Sequence, residues 1–79
     1  MMSSGNISII ECKSIPQELK HPTVFNKFDS LKSGNTLQLI TDHDPKTLFL
    51  ELLAKNGGQF VWTYIDSGPE VWKINIKKI

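Results

Sequence analysis

The stretch TLQLITDHDPKTLFLELL, residues 36–53, runs through a strand, a polar junction and a helix in succession. Thr36–Thr41 reads as a β-strand. Leu48, Phe49, Leu52 and Leu53 then recur at the spacing of one helical face. Between them stand Asp42, His43 and Asp44, followed by Pro45. Asp44 is a natural N-cap, with Pro45 at the first helical position, where a missing N–H leaves no intrahelical bond unmade. Capping accounts for Asp44 without any ligand. It does not account for His43, since histidine serves as ligand or switch as readily as surface residue. Asp42 falls between these two cases.

The flanking segments complete a simple order. Upstream, Val24, Phe25, Phe28 and Leu31 mark one face of an earlier helix. Pro22 suits its first position, and Gly34 suits its end. Before it, Ile7–Cys12 is short and β-branched, and reads as a buried strand. Pro16, in the connection KSIPQELK, blocks continuation of that strand. Downstream, Asn56–Gly58 ends the second helix. Gln59–Ile65 alternates between Phe60, Trp62, Tyr64 and Val61, Thr63, Ile65. DSGP is a turn, and the final segment alternates Trp72, Ile74, Ile76 with Lys73, Asn75, Lys77, giving a hairpin. The expected fold is an α/β (α+β) two-layer sandwich in the order β-α-β-α-β-β. Its four-stranded mixed sheet carries both helices on one face, with right-handed crossovers. Residues 1–6 are expected to form a disordered tail, and residues 7–79 a single domain.

Composition narrows the function classes. The chain has 79 residues, 39% of them hydrophobic, and a net charge of +1. Nine lysines and no arginine face eight acidic residues. No strong field selects nucleic acid or a membrane surface, and the planar guanidinium fork favoured in phosphate and guanine recognition is missing. Cys12 is the one cysteine, which excludes an internal disulfide and a CxxC metal or redox motif. A lone thiol, no signal-peptide pattern in MMSSGN and no long apolar run together point to a cytoplasmic protein.

A companion to the central junction lies upstream. KHPTVFNKF and DHDPKTLFLELL each hold a histidine, a proline shortly after it, and an apolar helix. Parallel first and second strands place both junctions at one sheet edge, where open α/β sheets tend to bind ligands. His21, His43, Asp42 and Asp44 therefore share that edge, and a third parallel strand adds Glu70. Imidazoles and carboxylates can hold a divalent metal ion, bind a small anion, or act as acid and base. No HExxH motif, glycine-rich phosphate loop or nucleophile elbow accompanies them.

The segments HPTVF, DHDP followed by leucine, FVWTY and GPEVWKI resemble a bacterial and archaeal family of unknown function, numbered 2249. The resemblance runs from about Ile9 to Ile76. It implies kinship in fold with TusA-like (SirA-like) sulfur-relay proteins. It also implies accessory roles beside hemerythrin-like or cupin-like proteins, near metal or redox chemistry. Lys20 and Lys13 stand where that family carries arginine. The relay proteins place a cysteine at the start of their first helix. Here Cys12 lies nearer the end of the first strand, without the helix-end activation a persulfide carrier needs.

The aromatic residues allow two readings. Trp62, Tyr64 and Trp72 either fill the core of a small domain or form a patch for a protein partner, with the chain a monomer or a weak homodimer. The core reading suits a chain this short. The ending KINIKKI is better taken as a solvated edge than as a nucleic-acid surface. The function expected is that of a small binding or accessory module. Sulfur relay and partner binding through the aromatic strands are its alternatives.

Overall fold

The computed structural model describes residues 7–79; the tail assigned to residues 1–6 lies outside them. Four strands, β1 (Ile7–Glu11), β2 (Thr36–Thr41), β3 (Phe60–Ser67) and β4 (Trp72–Lys78), form one sheet in the order β1-β2-β4-β3. Two helices, α1 (Lys20–Ser30) and α2 (Lys46–Asn56), supply the second layer. β1 and β2 are parallel, while β4 is antiparallel to both β2 and β3. β3 therefore runs with β1 and β2. The chain is a small α+β domain in the expected order β-α-β-α-β-β.

The alternating pattern decides which sheet face is covered. Leu37 and Leu39 on β2 and Ile74 and Ile76 on β4 have no exposed surface and meet Val24 and Phe28 of α1 and Leu48 and Leu52 of α2. Burying a side chain of this size contributes about 1.5–3 kcal/mol as an upper estimate. Phe60, Trp62, Tyr64 and Trp72 continue this face as edge-to-face rings, and Phe49 of α2 packs against both Phe60 and Trp62. The aromatic set thus points toward the helices. The other sheet face carries Ile7, Ile9, Val61 and Ile65, all exposed.

Several boundaries differ from the sequence reading. β1 is not a buried strand: Ile7 and Ile9 are 59% and 61% exposed, because β1 is an edge strand whose odd positions face the uncovered side. Ile10 and Cys12 alone carry its end into the core. α1 starts two residues before Pro22, after a 3₁₀ turn at Gln17–Leu19. Pro22 still lies in the first turn, where an N–H has no intrahelical acceptor. The same helix ends at Ser30 as Leu31 turns extended, so Gly34 lies beyond its terminus. At α2 the cap is Pro45, with no side-chain capping bond, so Asp44 does not serve as the expected N-cap. Leu53 is 40% exposed and does not join the core. Gly57 closes α2 at φ +58°, donating its N–H to the Leu53 carbonyl at 2.8 Å.

Candidate functional site

The shared direction of β1, β2 and β3 brings their C-terminal ends to one edge. The pairing of Thr41 with Trp72 sets the β3–β4 turn there too. Thr41 continues the alternation of Leu37 and Leu39, so it faces the helices and is 7% exposed. Just beyond the sheet, between the starts of α1 and α2, lies a cavity of about 70 Å³. Its polar lining includes Cys12, Lys20, His21, Thr41, His43 and Asp44, and its apolar floor includes Val24, Leu39 and Leu48. Both histidines, distant in sequence, reach this one cavity.

His21, His43 and Asp44 at the rim each have a distinct partner. His21 Nδ1 lies 2.5 Å from Glu51 Oε1 on α2. His43 Nδ1 lies 2.9 Å from Asp42 Oδ1 and 3.4 Å from Thr41 Oγ1. A carboxylate accepts, so each imidazole donates through Nδ1–H. The Tyr64 hydroxyl donates to Asp44 Oδ1 at 2.8 Å. Hydrogen bonding from His43 holds the Asp42 carboxyl below the usual aspartate value. Burial, reinforced by the Asp44 hydrogen bond, pushes the Tyr64 phenol up. Burial also pushes the Cys12 thiol up, with nearby Lys20 pulling the other way. Cys12 is thereby a buried thiol, not a ready thiolate.

The predicted site residues divide between several surfaces. Lys20, His21, His43 and Asp44 line the cavity together. Asp42 and Glu70 instead line a separate hollow of about 450 Å³ with Glu11, Lys13, Val71 and Lys73. Among the described residues no three His, Cys, Asp or Glu side chains are grouped so as to hold a metal ion. Trp62 lies over α2 beside Asp44, Phe49 and Tyr64. Trp72 packs on the β3–β4 turn, its indole N–H donating to the Pro69 carbonyl at 3.3 Å. Gln17, Thr41 and Thr47 complete the cavity wall without having been singled out in the sequence. The alternation of β2 pointed to Thr41; nothing local pointed to Gln17 or to Glu51, which depend on how the helices pack.

The fold and its edge cavity define a small α+β domain with a polar recess where two strand-to-helix junctions meet. The chain belongs to the family described as Uncharacterized conserved protein (DUF2249), whose model matches residues 9–78. No curated protein and no solved structure matches it. Among the described residues no helix is long and apolar enough to cross a membrane.

Proposed function

We propose that the protein is a small binding module whose ligand occupies the cavity between the starts of α1 and α2. The observation that supports this most is the convergence of His21 and His43 on one recess, with Lys20 beside them. A water molecule takes up about 30 Å³ in the liquid, so a recess of this size suits a ligand of a few heavy atoms. The carboxylate partners of the two Nδ1 atoms fix the ring orientations, an arrangement that prepares a histidine to meet a ligand. A resident metal ion has less support, because among the described residues no three His, Cys, Asp or Glu side chains are grouped so as to hold one.

Sulfur relay is a second reading, favoured by the place of Cys12 in the same cavity wall. Burial works against it, since it disfavours the thiolate that accepts or passes sulfur. Two measurements separate the readings. Small-molecule and divalent-metal titrations, followed at the two imidazoles by NMR, are expected to perturb His21 and His43 together. Silence of both rings toward every probe would end the binding reading. Persulfide loading followed by intact mass tests the relay: added sulfur on Cys12 would establish it in place of simple binding.

A further inference from the structure

A second hollow, apart from the cavity above though sharing Asp44 with it, opens beside the start of α2. It holds about 320 Å³ and is lined by Asp44, Lys46, Phe49, Trp62 and Tyr64. Most of this lining is aromatic, and the ring planes turn sharply from one to the next: 70° between Phe49 and Trp62, 76° between Trp62 and Tyr64. Rings set this way wall in a rounded group and give a flat one no platform to stack on. Neighbouring centroids stand 5.1 and 6.3 Å apart. One centre of charge can therefore lie within the ~6 Å reach of a cation–π contact to more than one ring. The chain covers other rings with its own cations, Lys55 over Phe25 and Lys78 over Phe28. Among the described residues no lysine lies over Phe49, Trp62 or Tyr64 in this way.

We propose that this hollow binds an alkylated ammonium head group of the trimethylammonium kind. The Asp44 carboxylate is the counter-charge in the wall, held in place by the Tyr64 hydroxyl, which donates to it at 2.8 Å. Lys46 lines the same hollow and opposes a cation. Asp44 and Lys46 together leave little net field, so a small, strongly hydrated cation gains too little here to shed its water. A head group wrapped in methyls differs on two counts. Its charge is spread and weakly hydrated, and its methyl surface leaves water against the rings. Tyr64 is 44% exposed, so the hollow is open to such a ligand from solvent.

The test titrates the whole chain, labelled with ¹⁵N, at matched ionic strength. The probes are tetramethylammonium and choline chlorides, the neutral isostere of choline in which carbon replaces the nitrogen, and sodium and ammonium chlorides. The two alkylated cations are expected to shift the Trp62 indole N–H saturably, with the neutral isostere about tenfold weaker and the hydrated cations silent. Y64L is expected to weaken binding and Y64F to keep most of it, since the ring supplies the contact. D44N should weaken binding and K46M strengthen it, the opposite signs that a cation site requires. A peptide carrying trimethyllysine, compared with choline, tells a protein tail from a free head group. Equal binding of choline and its neutral isostere, or no saturable shift from either alkylated cation, overturns the assignment. So does full affinity in a folded Y64L, or weaker binding in a folded K46M.

Discussion

His21 Nδ1 on the first turn of α1 lies 2.5 Å from Glu51 Oε1 on α2, so one imidazole both lines the cavity and ties the two helices together. Both side chains are more than 40% exposed, at 43% and 47%. Solvent screening leaves such a pair worth about 0–1 kcal/mol. E51A is therefore expected to lower Tm by at most about 8 °C for a domain of this size. The more telling readout is the tautomer. Long-range ¹H–¹⁵N spectra should show His21 protonated on Nδ1 in the native chain and a mixture of tautomers in E51A. A native ring protonated on Nε2 alone would contradict the pairing.

The Asp42–His43 pair predicts a pH response with a definite sign. His43 hydrogen bonding lowers the Asp42 pKa in the folded chain. Its contribution to stability is full above the unfolded aspartate value. It fades as pH falls from that value through the lower folded one. The Asp42 side chain is 75% exposed, so the effect on overall stability is small and the carboxyl group itself is the better probe. Following its side-chain ¹³C shift, H43A is expected to raise the midpoint toward that of an ordinary aspartate. An unchanged midpoint would show that the imidazole is not the cause.

Tyr64 behaves in the opposite sense. Burial, then its hydrogen bond to Asp44, raises the phenol's pKa in the folded state. The stability linked to it is complete below the unfolded tyrosine value, about 10, and is lost as pH rises through the higher folded value. The chain contains one tyrosine, so tyrosinate absorbance reports this group alone. D44N is expected to bring the midpoint down, leaving the part due to burial. Ionisation at the ordinary value in the native chain would contradict the contact.

Much of the fold was legible because it rests on local periodicity. The alternation in Thr36–Thr41 and Trp72–Lys78 and the helical spacing of Val24, Phe28, Leu48 and Leu52 fix which side chains are buried. The common edge of His21 and His43 followed from the parallel direction of β1 and β2. The partners at that edge were less legible. Asp44 before Pro45 has the sequence of a cap, yet its carboxylate goes to Tyr64, 20 residues on in β3 and beyond the whole of α2. Glu51 looks like an ordinary exposed helix residue until α1 lies beside α2. The exposure of Ile7 and Ile9 likewise depends on the sheet order, which puts β1 at an edge, and no β-branched pattern within the strand encodes that.

The β3–β4 turn gives the last prediction. Gly68 has φ +81°, and a Cβ there would stand 2.6 Å from Trp72 Cε2. Two costs therefore meet in G68A: a backbone conformation that L-residues disfavour, about 1–3 kcal/mol, and a steric conflict with the indole. Because the Trp72 ring also contacts Tyr64, displacing it disturbs the end of the aromatic row. G68A should lower the urea midpoint by more than the backbone cost alone, with a change in Trp72 fluorescence. The two costs separate in a double-mutant cycle with W72V, which removes the ring. In the W72V background the G68A penalty should shrink to the backbone part. An equal penalty in both backgrounds would show that the indole does not constrain this turn.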